Sequence, residues 1–410
     1  MAGVLRRSLL AVCLLAASAC GTVATPSGAS SAPRPAAPTT PERVVVEGDS
    51  ATQIVETPTG TTVATLPGGV LAPSNDLLVS IAADTAGTRV RGVDLTGTTK
   101  LDVLLSGDYR LSNAYGAAPS GFSPNGKWLV VVSRDGTDSR FAVIDVTRST
   151  VASVVTLGSR FTFDAIHNDG SAMYLIEHPK PGATTYNVRL YDLNAKVLKP
   201  DIIFDKAAIA QFDPTVGLMD GTFHVSVAPK TGDWSYGLYM RPNGKPFVHA
   251  LNVPGHYAQC IVDLAGAWSP SSMFAMALSA TGDRLYVVDT VGGSVSVIDA
   301  LTQKVSRTTT LGSRGGGDAR AASAVVSADG TRLFASSPRG IAIIQTTDLT
   351  LKGWVATDLA ARSLAISSDG VHLYALAGDT VHVIDLARGR VTAQIAAAPG
   401  ARALHLLPRS

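Results

Sequence analysis

The apolar residues of this chain occur in short runs that are separated by polar turns at regular intervals. The clearest example has the four runs Leu364–Ser367, Leu373–Ala377, Val381–Asp385 and Val391–Ile395. Apolar and polar residues alternate with a period of two in the third run, which is typical of a β-strand. The first two runs are joined by Ser368-Asp369-Gly370, where glycine supplies a positive φ at no steric cost. The pattern predicts a four-stranded antiparallel meander of about 40 residues.

Seven such units follow one another along the chain. They span Gly69–Leu105, Gly121–Leu157, Asp164–Phe204, His224–Leu264, Met273–Leu311, Ala324–Val355 and Leu364–Ile395. Their strands are too apolar on both faces to be stable in water alone, so each unit needs neighbours stacked against it. The repeats therefore predict an all-β architecture of stacked four-stranded sheets.

The two ends of the repeat region complement each other. Val44–Asp49, Gln53–Thr57 and Thr62–Leu66 match the second, third and fourth strands of a unit, and Ala401–Leu407 matches a first strand. One sheet that contains both ends would close the ring and leave no blade without a neighbour. We predict a β-propeller of eight four-stranded blades. Seven blades remain the alternative if one of the weaker units is an insertion.

One segment resembles a known repeat. Leu285–Asp299, LYVVDTVGGSVSVID, is similar to the YVTN repeat family of bacterial extracytoplasmic β-propellers, with Val288-Asp289 where the family has Thr-Asn. The resemblance implies a propeller fold and a location outside the cytoplasm. It does not imply a particular activity, because propellers host enzymes and binding scaffolds alike.

The N-terminus has the features of a processed leader. Arg6 and Arg7 precede the apolar run Ser8–Ala17, which is too short to span a bilayer, and Ala17-Ser-Ala-Cys20 resembles a bacterial lipobox. This resemblance implies a lipid on Cys20; an ordinary secretory signal cleaved near Ala19 is the alternative. We predict a signal peptide at 1–19, a disordered Pro/Ser/Ala-rich tether at 20–43 and the propeller at 44–410.

Composition excludes some classes of protein. The formal net charge of +2 is too small to indicate a nucleic-acid binder. Cys13 lies in the leader and Cys20 is the lipidation candidate, so Cys260 is the single cysteine of the propeller and no disulfide within it is expected. We expect Cys260 to be a buried apolar residue.

Residues that bear chemistry are sparse. The sequence has no G-x-S-x-G elbow, phosphate-binding glycine loop or CxxC pair. The set His249, His256 and Cys260 has ligand types that suit zinc, but its spacing matches no metal motif. Lys230–Trp234 faintly resembles a quinoprotein segment, but occurs only once. We therefore predict no catalytic residue, no metal and no cofactor.

Four arginines stand just before predicted first strands: Arg160, Arg320, Arg362 and Arg402. The first strand of a propeller blade is innermost, so these residues are expected at one mouth of the central channel. The loops between second and third strands open on the same face and contribute Arg134, Asp135, Arg140, His178, Lys180 and Arg339. A ring of guanidinium groups there would suit a carboxylate or phosphate. The alternative is that they are solvated loop arginines, some paired with aspartates.

Together, these observations predict a monomeric, lipid-anchored binding scaffold on the outer face of the cell membrane. Its expected partner is an envelope protein or an anionic small ligand. The alternative function is a lactonase-like enzyme that acts on an anionic small molecule in the channel.

Overall fold

The structure is a computed structural model that describes residues 42–57, 59–112, 121–133, 138–180, 182–203, 219–265, 272–289, 291–312 and 322–407. The side chains of residues 259 and 260 are outside the description. The described residues form β-strands and turns without an α-helix. None of them therefore forms a helix long and apolar enough to cross a membrane.

The strands form eight antiparallel sheets, the blades of a propeller. Blade 2 comprises β4 (Val70–Leu71), β5 (Leu77–Asp84), β6 (Gly87–Asp94) and β7 (Thr99–Leu105). Blade 3 comprises β8 (Tyr109–Leu111), β9 (Trp128–Ser133), β10 (Ser139–Asp145) and β11 (Thr150–Leu157). Blade 4 comprises β12 (Phe161–Ile166), β13 (Ala172–Glu177), β14 (Thr185–Asp192) and β15 (Val197–Ile202), with β16 (Met219–Asp220) added beside β14.

The second half of the ring repeats this plan. Blade 5 comprises β17 (Thr222–Val227), β18 (Trp234–Met240), β19 (Pro246–Asn252) and β20 (Tyr257–Asp263), and blade 6 comprises β21 (Phe274–Leu278), β22 (Arg284–Asp289), β23 (Ser294–Asp299) and β24 (Lys304–Thr310). Blade 7 comprises β25 (Ala324–Val326), β26 (Arg332–Ser337), β27 (Gly340–Gln345) and β28 (Leu351–Val355). Blade 8 comprises β29 (Ser363–Ile366), β30 (His372–Ala377), β31 (Thr380–Asp385) and β32 (Arg390–Ala396).

Blade 1 joins the two ends of the chain, as predicted. Its strands are β33 (Ala401–Leu406), β1 (Glu42–Gly48), β2 (Ala51–Thr57) and β3 (Thr61–Pro67), with β33 innermost. The pairing of Val44 with Leu406 and of Val46 with Leu404 fixes the register of the closure. The prediction of eight blades in a ring closed by both termini is confirmed, and the seven-blade alternative is wrong.

The cores lie between the blades. Each interface contains apolar residues from two successive sheets, such as Leu129, Val131 and Ile144 of blade 3 against Val90 and Leu101 of blade 2. Middle strands are buried on both faces, whereas the outermost strand β32 alternates between exposed and partly buried positions. This difference explains the continuous apolar runs of the second and third strands, because removing apolar surface from water stabilises the stack.

Side chains in the turns also form contacts between successive blades. The Asn168 side chain accepts a hydrogen bond from the Asn125 backbone N–H at 2.9 Å and donates one to the Thr231 carbonyl at 2.8 Å. These three residues lie in the equivalent turns of blades 3, 4 and 5. Gly170, at φ +76°, lies against the Trp128 indole, where an added Cβ would approach the ring to 2.2 Å. The recurring turn residues thus contribute to contacts between blades as well as to turn geometry.

Two boundaries differ from the sequence prediction. The inner strand of blade 3 is β8, upstream of the predicted start at Gly121, and Phe122 forms only an isolated bridge with Leu129. The pair Met219-Asp220 adds a short strand to blade 4 that the repeat did not indicate. Both differences occur where the chain departs from the repeat length, so periodicity alone could not locate the pairing. The predicted leader and tether lie outside the described residues, except for Glu42 and Arg43, which belong to β1.

Candidate functional site

The central channel contains a wide cleft at one mouth. We call it the mouth cleft; its volume is about 890 Å³, and residues of blades 1 to 4 line it. Its charged lining residues are of both signs: Arg110, Arg140, Arg402, Asp49, Asp108 and Asp138. Arg110 and Arg140 make no ion pair with a described residue. The cleft therefore offers charged side chains to a ligand, although its lining is not uniformly positive.

A smaller cavity adjoins this cleft. This inner cavity has a volume of about 210 Å³ and lies among the inner strands of blades 3, 4 and 5. Ser112, Thr162 and Phe163 line both spaces. The inner cavity has an aromatic wall formed by Phe122, Phe163, Phe223, Trp234 and Tyr239. The two spaces together resemble a ligand site with an apolar interior and an entrance on the channel side.

Asp164 supplies a carboxyl group to the inner cavity. In the pairing of β12 with β13, Phe163 faces Leu175 and Ala165 faces Tyr174, so Asp164 is the extra residue of a β-bulge. The inner strand of blade 5 also has a bulge, where His224 is the extra residue. The inner strands of the described parts of blades 2, 3, 6, 7 and 8 pair without a shift. Bulges of this kind re-aim side chains and are frequent beside active sites.

The surroundings of Asp164 disfavour its charged form. Asp164 is partly buried, and the loss of solvent around its carboxyl group raises its pKa to about 7. Among the described residues it has neither a hydrogen-bond partner nor an ion-pair partner. Nearby charges or hydrogen bonds normally compensate a carboxylate in such a place. Asp164 therefore lies in the cavity as an acid that can be neutral or charged near pH 7.

Packed aromatic rings support the wall behind Asp164. Tyr239 stacks on Tyr186 with ring centroids 4.9 Å apart and on Phe247 at 5.5 Å. Two glycines make this packing possible, because a Cβ on Gly221 would approach the Phe247 ring to 2.8 Å and one on Gly237 would approach the Tyr239 ring to 2.9 Å. Burial raises the pKa of the Tyr186 and Tyr239 phenols well above the usual value. Both phenols stay neutral and leave the Asp164 charge uncompensated.

The two histidines that the sequence singled out do not line the inner cavity and lie in different surroundings. His249 is 2% exposed, its ring lies 6.1 Å from that of Tyr239, and burial lowers its pKa to about 4. Its Nε2 makes no hydrogen bond to a described residue. His256 lies in the turn before β20, with Nδ1 2.6 Å from the Tyr174 hydroxyl. The Cys260 side chain is outside the description.

The described part of the chain brings no three His, Cys, Asp or Glu side chains together in a way that could hold a metal ion. The other segment considered from sequence, Lys230–Trp234, forms the turn into β18. Trp234 there lines the inner cavity and stacks on Tyr236 at 6.1 Å. Its place in the structure is that of a wall residue.

The four arginines of the predicted ring occupy different environments. Arg402 lines the mouth cleft and donates from Nε to the Glu47 carboxylate at 2.7 Å, with further bonds to Asp49 and to the Gly69 carbonyl. Arg362 donates to the Gly378 carbonyl and lies 3.7 Å from the Asp379 carboxylate.

The remaining two arginines differ again. Arg160 is exposed just before β12 and does not line either cavity, and Arg320 lies outside the described residues. The structure thus brings Arg402 alone of the described three to the mouth cleft. Ligand binding by the four arginines stays a prediction.

Sequence reasoning identified Arg140 and His178 as residues of this face, and they line the mouth cleft and the inner cavity respectively. It missed Asp164 and the aromatic wall. The sequence contains one indication of this site, because Asp164 is an acidic residue inside the apolar run Phe161–Ile166 of a predicted blade. The bulge that turns it toward the cavity is not visible in the sequence.

Comparisons with known proteins identify the fold. No protein-family model matches the chain, and neither does any curated protein. Among solved structures, apo AztD from Citrobacter koseri has a TM-score of 0.58 at 12% identity, covering 90% of this chain and 98% of its own. The dihydro-heme d1 dehydrogenase NirN in complex with DHE has a TM-score of 0.53 at 14% identity, covering 92% and 77%.

A third similar structure is the C-terminal WD40 domain of Sif2, with a TM-score of 0.49 at 14% identity, covering 82% of this chain and 89% of that domain. The structural similarity to AztD and NirN supports the fold, and identities of 12% and 14% leave the activity open. The chain is an eight-bladed β-propeller, a fold that fits the YVTN-type resemblance of its repeats.

Proposed function

We propose that this protein is a lipid-anchored, extracytoplasmic propeller of the YVTN type that binds a small molecule in its central channel. The observation that supports this most is the adjoining pair of spaces in the channel, the mouth cleft and the inner cavity, which share Ser112, Thr162 and Phe163. An open cleft that leads to an apolar recess with a few polar groups is the usual form of a small-molecule site.

The exposed surface gives less support to a protein partner. The large apolar side chains that are exposed in the described residues lie on outermost strands of blades 1 to 4 and in a turn of blade 6: Val63, Leu104, Val151, Val154, Val197 and Leu301. Protein-binding surfaces usually have contiguous apolar patches. The concave site is therefore the better candidate, and capture of an envelope protein is an outcome that would contradict it.

The anchor is the part of this proposal that rests on sequence alone. Cys20 follows the small residues of the lipobox-like segment, and the Pro- and Ser-rich tether separates it from the propeller. A Cys20→Ala variant should move from the detergent phase to the aqueous phase in a phase-partition experiment, whereas Cys13→Ala should partition like the wild type. A Cys20→Ala protein that stays in the detergent phase would contradict lipidation at this residue.

Blocking the channel tests the binding site. Thr162 is exposed to the channel and lines both spaces, so Thr162→Trp should fill their junction without disturbing a core. Thr310→Trp, on the exposed end of the outermost strand β24, is the matched control. The full chain is incubated with a small-molecule extract of the growth medium, and bound compounds are identified by mass spectrometry.

We expect one or more compounds to be retained by the wild type and by Thr310→Trp and to be lost in Thr162→Trp. Equal retention by all three proteins, or retention of none, would overturn binding in the channel. The anionic ligand predicted from the sequence is a separate outcome of the same experiment. Loss of an anionic compound when Arg160, Arg320, Arg362 and Arg402 are changed together to alanine would support it.

A lactonase-like activity is the second candidate. Asp164 and His178 line the same cavity, which gives it an acid and a base of the kind that hydrolysis needs. Hydrolysis of a lactone panel by the wild type, and its loss in Asp164→Asn, would favour the enzyme. A wild type that hydrolyses no lactone would leave the binding function as the better explanation.

A further inference from the structure

The inner cavity combines one acidic group with aromatic surface. Asp164 lies on its wall with five aromatic side chains, namely Phe122, Phe163, Phe223, Trp234 and Tyr239. The faces of aromatic rings carry partial negative charge, so they attract cations and do not compensate a carboxylate. The cavity thus offers a negative charge and several surfaces that prefer a positive one.

No described residue supplies that positive charge. The titratable groups that interact electrostatically with Asp164 are the phenols of Tyr174, Tyr186 and Tyr239, and burial raises the pKa of each. His178 lines the same cavity but makes no ion pair with a described residue. The arginines Arg110, Arg140 and Arg402 line the mouth cleft and are absent from the lining of the inner cavity.

A metal ion would not satisfy this site well. A divalent cation takes several oxygen or nitrogen ligands, and the described residues offer no cluster of three or more such side chains. A single carboxylate on an aromatic wall is instead the arrangement that recognises an organic ammonium group. The volume of about 210 Å³ lies below the range of about 300–1,000 Å³ usual for drug-sized ligands, so the ligand is small.

We propose that the inner cavity binds a small organic amine, with the ammonium group paired to Asp164 and the apolar part against the aromatic wall. This inference rests on the proposed function, because it specifies the chemical class of the ligand in the same channel. The amine enters from the mouth cleft past Thr162 and Phe163, which line both spaces. Its charge supplies the partner that Asp164 lacks within the described structure.

Isothermal titration calorimetry at pH 8 tests the charge. The probes are 2-phenylethylamine, its neutral analogue 2-phenylethanol and the anion phenylacetate. The proteins are the full chain, Asp164→Asn and the control Asp201→Asn, which changes an exposed aspartate on the outermost strand of the same blade. We expect the wild type and Asp201→Asn to bind the amine at least tenfold more tightly than the alcohol. Asp164→Asn should lose this difference.

Several results would overturn the proposal. These are equal affinity of the wild type and Asp164→Asn for the amine, equal affinity of the wild type for amine and alcohol, or preference for the anion. If the wild type prefers the anion and Thr162→Trp abolishes that binding, the amine proposal is refuted but channel binding is supported. If all three probes bind and Thr162→Trp changes none of their affinities, channel binding is refuted as well. Thermal unfolding of each variant shows that it is folded.

Discussion

Arg402 donates a hydrogen bond from Nε to the Glu47 carboxylate at 2.7 Å and thereby joins the last strand of the propeller to the first. Glu47 is 5% exposed on β1, and its second oxygen accepts hydrogen bonds from His405 Nε2 at 3.1 Å and from the Leu71 backbone N–H of blade 2 at 2.9 Å. Burial alone would raise the pKa of Glu47, but the bonds from His405 and Leu71 and the charge of Arg402 bring it below the usual value. One carboxylate therefore connects both ends of the chain and the next blade.

This contact predicts a structural role for Arg402. Arg402→Ala removes one charged hydrogen-bond donor from the buried Glu47 carboxylate, so it should lower the free energy of unfolding by about 2 kcal/mol. Arg160→Ala changes an exposed residue outside both cavities and should alter stability by less than about 0.5 kcal/mol. Urea unfolding at pH 7 measures both. Equal stability of the two variants would show that the Arg402 contact does not hold the ring closed.

Asp164 should make the protein less stable as the pH rises. Its pKa of about 7 in the folded state exceeds the usual value of 3.8, so the folded protein holds a proton that the unfolded chain releases between these values. Stability should therefore fall from about pH 4 to pH 7 and stay low above pH 7.

Asp164→Asn should remove this component and raise the free energy of unfolding at pH 8 by about 2 to 4 kcal/mol. The phenols of Tyr174, Tyr186 and Tyr239 face this group and stay neutral over the range, and Asp201→Asn is the control. A lower stability of Asp164→Asn at pH 8 would mean that its carboxylate has a compensating partner.

His249 should have the opposite effect on stability over nearly the same pH range. Burial lowers its pKa to about 4. Between pH 6.5 and pH 4 the imidazole therefore binds a proton in the unfolded chain but not in the folded protein. This should cost about 3 kcal/mol of stability at acid pH. His249→Leu should remove that loss, whereas His372→Leu, at the partly exposed start of β30, should keep it. Urea unfolding at several pH values measures it, and an unchanged acid loss in His249→Leu would refute burial of a neutral imidazole.

Asn168 should couple the stability of neighbouring blades. Its side chain bonds to Asn125 in blade 3 and to Thr231 in blade 5, so Asn168→Ala removes two contacts between blades. We expect a loss of about 1 to 3 kcal/mol, since partly buried polar groups are left without partners. Asn194→Ala, in an exposed turn between β14 and β15, is the control. Similar thermal unfolding of both variants would show that the turn contacts add nothing to the packing.

The sequence by itself determined the architecture of this protein. Period-two apolar runs and turn glycines recur in each unit, and the complementary ends at Val44 and Ala401 predicted the shared blade that the structure confirms. These features are readable because β-strand pairing and burial impose a local, repeating pattern on the chain. The same reasoning placed Arg140 and His178 on the face where they line the channel spaces.

Only the tertiary structure decided the site. Asp164 and Tyr239 line one cavity although they belong to different blades, and a single inserted residue in β12 re-aims the Asp164 side chain. The partners of Arg402 also come from distant segments, since Glu47 lies 355 positions away along the chain. The repeat determines which strands pair, but which side chains meet between blades depends on bulges and ring closure, and neither has a periodic signature in the sequence.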